Sequence, residues 1–309
     1  MRIFFIALLL IAPAAIAQDK QTGDQPIGRQ ESDSGIRHSF VISGARTTLV
    51  GEDSTAVWDL KRGSKDASKL ANGNFLVIYG KEAVELTPDK KVVWKYTKSS
   101  DNKEIMSGQR LADGTTLLTE LGSKPQLLEV DKEGTVTRTI PIKPETNNSH
   151  MQTRMARKLP GGTYLVPHRI MPFVKEYDAT GKVLMTFRTD LPELGGPKAR
   201  NGTFGAARLA NGNTVITCTN GNKIVVMDKR GKPVWVVTSQ EIGGIINDAC
   251  GLQVLKSGNF VVSCYGNQKP DAVKMFEINR QKKVVWKFFC PGARYVHNLQ
   301  ILTTNGKNP

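Results

Sequence analysis

The chain has 309 residues, with 43 lysines and arginines against 28 aspartates and glutamates, a formal net charge of +15. The basic residues are spread along the sequence, so neither a nucleic-acid-binding arm nor a lipid-binding patch is indicated. The excess instead predicts attraction of anions such as acidic polysaccharide or sulfate and phosphate esters. After the first residues, no apolar run is long enough to span a bilayer.

In chain order, the opening "MRIFFIALLLIAPAAIAQ" places Arg2 before an apolar stretch from Ile3 and ends it at Ala15-Ile16-Ala17, a small-x-small cleavage pattern. This predicts a signal peptide over residues 1–17 and a periplasmic or secreted protein. Residues 18–37 are polar and poor in large apolar side chains, so a disordered linker is expected there. The folded part is expected to run from 38 to 309.

Within it one phrase recurs: "KLANGNFLVIYG", "RLADGTTLLTELG", "KLPGGTYLVPHR", "RLANGNTVITCTN" and "VLKSGNFVVSCYG", with a degenerate "ILTTNG" at the end. Its glycines, Gly73, Gly114, Gly162, Gly212, Gly258 and Gly306, are 41, 48, 50, 46 and 48 residues apart. Turn residues ahead of each glycine, flanked by apolar runs, signal tight hairpins, for which primed turns are expected. A second hairpin phrase follows each of the first five, as in "VELTPDKKVVWKY" and "VVMDKRGKPVWVV". Each unit is therefore four short antiparallel strands, A to D, at a period near 45, the signature of a β-propeller blade. Residues 38–60 supply strands B, C and D without an A. Residues 294–306 supply an A with nothing after it. Together they complete a sixth blade, so the fold class is an all-β, six-bladed propeller closed by strands from both termini. Trp58, Trp94, Trp235 and Trp286 all fall in strand D and are expected to pack blade against blade.

The "D-x-x-G-K-x-x-W" units, as in "DKRGKPVW" at Asp228, resemble the quinoprotein-like (PQQ-type) propeller repeat. They also resemble the six-bladed propeller of arylsulfotransferases, which implies the architecture and carries no catalytic residue over. PQQ alcohol dehydrogenases have eight blades and adjacent cysteines. With six blades and no Cys-Cys pair here, no cofactor is expected. Cys218, Cys250, Cys264 and Cys290 lack metal-ligand spacing, no metal is expected, and buried thiols and disulfides both remain open.

Propeller geometry brings the start of strand A and the end of strand B to one face near the axis. Strand A starts offer Ser107, His150, Arg154, Asp248, Cys250 and His297, with Arg294 just before. Strand B ends, six residues past each repeat glycine, offer Tyr79, Glu120, His168, Cys218 and Cys264. His38 falls at the opposite end. The dense stretch "SHMQTRMARKLPGGTYLVPHRI" at 149–170 thus resolves into His150, Arg154 and His168 on the mouth and Arg157 on the far face. His150, His168 and His297 are the candidate catalytic residues; Arg154, Glu120, Asp248, Arg294 and Tyr79 are the candidate ligand contacts. The long D–A connections at 144–150 and 188–205 are candidate rim elements. The expectation is a monomer that binds an anionic small molecule or polysaccharide at its axial mouth. An arylsulfotransferase-like transferase using a mouth histidine is the alternative, and a protein-interaction scaffold a second.

Overall fold

The computed structural model describes residues 25–309. Six antiparallel four-stranded sheets form a ring of blades, a β-propeller. Strands A to D of blade 1 are Asp66–Lys69, Phe75–Ile78, Glu82–Leu86 and Val92–Thr97. Blades 2, 3, 4 and 5 repeat the order from Asn102, Arg157, Thr203 and Ala249. Blade 6 is composite. Val296–Thr304 pairs with His38–Gly44, followed outward by Thr48–Val50 and Ala56–Asp59. The Ile42–Leu299 register thereby joins the two ends of the ring.

Gly73, Gly114, Gly162, Gly212 and Gly258 close the A–B hairpins, though not through primed turns; the expected primed turn forms at Asn305-Gly306, where both φ values are positive. Gly73 has φ of +87°, and neither Ala71 nor Asn72 before it has a positive φ. Gly73 N–H donates to the Leu70 carbonyl, and Leu70 N–H to that of Asn74. This is a three-residue loop ending in a left-handed bulge position, where a Cβ would be strained.

Alternation along each strand sends one set of apolar side chains to the preceding blade and the other to the following one. Apolar clusters accordingly form in the seams. One holds Val41, Trp58, Phe75 and Val84, from blades 6 and 1. As expected, the tryptophans work here. Trp58 lies flat on Phe75 at 3.7 Å and donates its indole N–H to the Pro88 carbonyl in the C–D turn of the next blade. Trp94 and Trp235 make the same bond to Asp131 and Arg280. A buried polar clasp runs beside them. The strand C carboxylates Glu85, Glu129 and Glu176 pair with Arg110, Lys158 and Arg208, each at the end of strand A in the following blade.

Part of the expected linker is ordered, and the rest, with the expected signal peptide, lies outside the described residues. Arg29–Glu31 adds a fifth strand to the outer edge of blade 5. Ile27 and Ile36 pack against the core between blades 5 and 6. Between them Gln30 is buried and accepts hydrogen bonds from Trp286 Nε1 and His38 N–H, both at 2.8 Å. Its amide donates to the carbonyls of His38, Gly51 and Glu52. Gln30 therefore supplies the bond that a turn carbonyl supplies to the other tryptophans. Gln30→Ala leaves two buried N–H groups without an acceptor, so it should cost about 2–4 kcal/mol in urea unfolding. A loss under about 0.5 kcal/mol would show that the strand does not hold the seam.

Candidate functional site

The mouth is built where D–A connections enter strand A. In blade 3 strand A is regular only at Arg157–Lys158. Ahead of it, Thr153 bridges to His168, and Arg154 N–H donates to the Pro167 carbonyl. This irregular run follows strand B and delivers the Arg154 side chain to the axis. The guanidinium is buried: the residue is 4% exposed. It donates to the Thr153 carbonyl and sits 5.6 Å from the Phe204 ring centroid. Among the described residues no carboxylate is within ion-pair distance of it. Burial, then the charge of Arg169, pulls it down to about 10, so it remains charged at neutral pH.

His297, from blade 6, lies in an aromatic group. Its ring centroid is 5.2 Å from those of Tyr265 and Tyr295 and 5.8 Å from that of Phe204. Its Nδ1 is buried without a hydrogen-bond partner. Burial, helped by the charges of Arg154, Lys65, His150 and Arg169, pushes the imidazole down to about 3, which keeps it neutral. His150 is half exposed on a single 3-10 turn, Ser149–Met151, with Nδ1 3.0 Å from Glu104 Oε1. Lys65 Nζ approaches the other Glu104 oxygen at 3.5 Å. Burial would raise the Glu104 carboxyl, but the His150 hydrogen bond and the charges of His150, Lys65 and Arg154 outweigh it and hold it below the usual range.

Of the other candidates, Asp248 and Tyr79 also reach this end of the axis. Asp248 has a left-handed backbone, φ +51°, and accepts from Asn220, which also accepts from Arg169. Burial holds its carboxyl above the usual range against the nearby Arg169 charge. Tyr79 lines a recess with His297, Tyr295 and Lys65, and the Arg62 guanidinium stacks on its ring at 3.7 Å. Burial raises its hydroxyl.

Three candidates lie elsewhere. His168 is 1% exposed, packed beside Phe173 and hydrogen-bonded to the Tyr177 hydroxyl at 3.0 Å. Burial pushes it down to about 3. Glu120 is buried and saturated by Tyr96, Ser99, Asn102 and Gln126. Arg294 is exposed on a rim loop, bonded to Gln268. The four cysteines are free and buried, and burial raises every thiol, Cys218 and Cys264 to about 12, so none is a ready nucleophile. The excluded His38 is indeed remote, buried against Glu277 and Trp286.

Sequence reasoning passed over Lys65, Glu104, Arg169, Tyr265 and Tyr295. A one-step correction finds two of them. The sixth residue past the repeat glycine still faces a seam, as His168, Glu120 and Cys264 do. In blades 3 and 5 the seventh leaves the strand, giving Arg169 and Tyr265, whereas in blade 2 the seventh, Leu121, is still in strand B and in blade 1 the sixth, Tyr79, already lines the mouth.

Behind the mouth, Met155, Phe204 and Cys250 form a buried apolar plug. Beyond it a cavity of about 550 Å³ lies among the A strands on the far side, where Arg157, as expected, faces Asp66 at 3.6 Å. That end is mostly self-satisfied. Asn298 and the Gly108 N–H hold Asp66, and Gln109, Gln253 and Gln300 clasp the backbone of the next blade. Unpartnered buried groups occur at both ends: Arg208 Nε and Thr214 Oγ1 by the A–B turn of blade 4, and Thr153 Oγ1 and His297 Nδ1 toward the mouth.

Fold and site together define a six-bladed propeller with a cationic, aromatic-lined axial mouth. A solved protein of unknown function from Bacteroides caccae is similar over 85% of this chain and 98% of its own, at 20% identity and a TM-score of 0.73. Virginiamycin B lyase from Staphylococcus aureus is similar over 84% and 87%, at 10% identity and a TM-score of 0.55. A luciferin-regenerating enzyme is similar over 87% and 98%, at 11% identity and a TM-score of 0.54. These likenesses are of fold alone. No protein-family model and no curated protein matches the sequence.

The two depressed histidines give the fold a pH signature. Each binds a proton in the unfolded chain below about pH 6.5 but in the folded chain only near 3. Stability is therefore full above that upper value and falls with pH, by up to about 1.4 kcal/mol per unit for each histidine. His168→Gln should flatten the decline in unfolding free energy between pH 6.5 and 5. An unchanged slope would place the histidine's proton uptake outside the folded core.

Proposed function

We propose that this is an exported binding protein whose axial mouth takes a small or polymeric anionic ligand. The single observation that carries the reading is Arg154. A buried guanidinium with no carboxylate beside it is costly, and a fold keeps such a group where an incoming anion completes the pair. Arg169 and Lys65 reinforce the charge, while Glu104 and Asp248 are already engaged by His150 and Asn220. Export follows from the leader-like opening of the sequence and is part of the proposal.

A second reading has one observation behind it. His297 is neutral, lies beside a guanidinium and has a free ring nitrogen. That is what a sulfuryl acceptor needs in an arylsulfotransferase-like reaction, the likeness suggested, with the PQQ-type repeat, by the turn motifs. The imidazole nitrogen would take the sulfuryl group as the phenol leaves, with Arg154 balancing the oxyanion charge. His150, paired to Glu104, would protonate the leaving oxygen. Phenol release from an aryl sulfate, lost in His297→Ala, tests this. No release by the wild type rejects it and leaves the binding reading intact.

For the binding reading, millimolar sulfate, phosphate or acetate should raise the melting temperature of the wild type. In Arg154→Met that rise should disappear, with affinity down about 10- to 100-fold for the loss of a charge-assisted contact. The same variant, freed of an unpaired buried charge, should melt no lower than the wild type without anion. Equal anion stabilisation in the two proteins would remove Arg154 from the site.

A further inference from the structure

The mouth carries a second feature, distinct from the charge on Arg154. Between blades 6 and 1 a recess of about 190 Å³ is lined by Gly44, Ser64, Lys65, Tyr79, Tyr295 and His297. About 150 Å³ suffices for a benzene molecule, so one six-membered ring fits. Most of the lining's polar groups are already bonded. Ser64 Oγ pairs with Thr47 at 2.7 Å, and Ser64 N–H donates to the Gly44 carbonyl. Ala45 N–H takes the Tyr295 carbonyl, Ser263 takes that of His297, and the N–H groups of Lys65 and Tyr79 donate to Ile78 and Glu82. Besides the two phenol hydroxyls, the recess offers aromatic rings, with Arg62 stacked on Tyr79, and the Lys65 cation, which also approaches Glu104 at 3.5 Å, beside an imidazole that also feels Arg154.

We infer that the ligand carries a flat, unsaturated ring next to its acidic group, the ring seated against Tyr79, Tyr295 and His297 and the acid turned toward Lys65 and Arg154. This rests on the anion-binding reading and narrows it. A sugar acid of the same size would bring several hydroxyls to a wall whose backbone groups are occupied, and hydroxyls stripped of water without partners weaken binding. A flat ring finds stacking surfaces there. Glycines let the backbone segments that frame the recess approach closely. A Cβ on Gly44 would come within 2.7 Å of the Tyr295 carbonyl, and one on Gly63 within contact of the Gly44 backbone, so the two loops meet only as glycines.

The test is calorimetric titration of the full chain with benzoate, cyclohexanecarboxylate, D-glucuronate and acetate. Benzoate should bind about 3- to 10-fold tighter than cyclohexanecarboxylate, the increment expected of one aromatic contact, and tighter than glucuronate. Tyr295→Leu should erase that preference while leaving acetate binding unchanged, and Tyr79→Leu should reduce it, which keeps the test open if one variant folds poorly. Equal binding of benzoate and cyclohexanecarboxylate would overturn the ring inference while the anion reading stands. Tighter glucuronate would overturn it in favour of a sugar acid. If none of the four binds, the anion reading fails and the inference with it.

Discussion

The interaction on which the ring depends is the buried clasp between strand C of one blade and the end of strand A in the next. Each blade is a separate sheet, so closure comes from side chains in six seams. In three of them a carboxylate that is nearly hidden from solvent meets a basic residue: Glu85 with Arg110, Glu129 with Lys158 and Glu176 with Arg208. Asn72 and Asn74 hold the remaining Glu85 oxygen, Tyr164 adds to Glu129, and Thr163 to Glu176. A desolvated pair is worth keeping when its spare valences are filled in this way, and removing one partner would strand the other. The pairs also fix register, because a blade slid by one residue would bury a lone charge.

In the seam between blades 4 and 5 both halves of the clasp are replaced. Strand C of blade 4 has Val226 where blades 1, 2, 3 and 5 have glutamate, and strand A of blade 5 has Val254 where blades 1 to 4 have lysine or arginine. Both lie in one apolar cluster. Between blades 5 and 6 the carboxylate survives as Glu277, but its partner is His38 from strand B. That seam also receives Gln30. The ring is joined there across chain segments far apart in sequence, and the N-terminal strand adds polar bonds at the place where the repeat's own cation is missing.

The architecture was legible because it rests on periodic local signals. Turn glycines, alternating apolar residues and strand D tryptophans recur every 40 to 50 residues, and the truncated first and last units matched each other. The site was legible only by position along the strand, and there a single step decides between seam and axis. His168 and Glu120 are the ordinary outcome of stopping one residue early: polar side chains at a strand end, buried and satisfied by their own and neighbouring blades. Lys65 and Tyr295 occupy D–A connections of unequal length, and Glu104 lies in the early, bulged part of strand A of blade 2, where no repeat register exists to count from. Residues 25–37 resisted for another reason. Their composition is that of a tether, yet strand addition to an existing edge needs few side chains, and Gln30 with two isoleucines suffices.

This separation of periodic from aperiodic residues also sets the mouth apart from the rest of the ring. What the repeat supplies is spent largely on closing the ring, and most of its buried polar groups are paired, with Arg208 Nε and Thr214 Oγ1 as exceptions. The far-side cavity follows that pattern despite its size, since its glutamines, Asp66 and Arg157 are bonded to one another or to backbone. The mouth departs from it. Arg154 and the Nδ1 of His297 are buried with bonding capacity left over, and both residues sit against the Phe204 ring, which belongs to the apolar cluster with Met155 and Cys250. In the proposed function, a ligand would reach them from the face that carries the irregular loops. The stability of six packed seams, three of them clasped, supports the cost of one guanidinium without an ion-pair partner at the centre of that face.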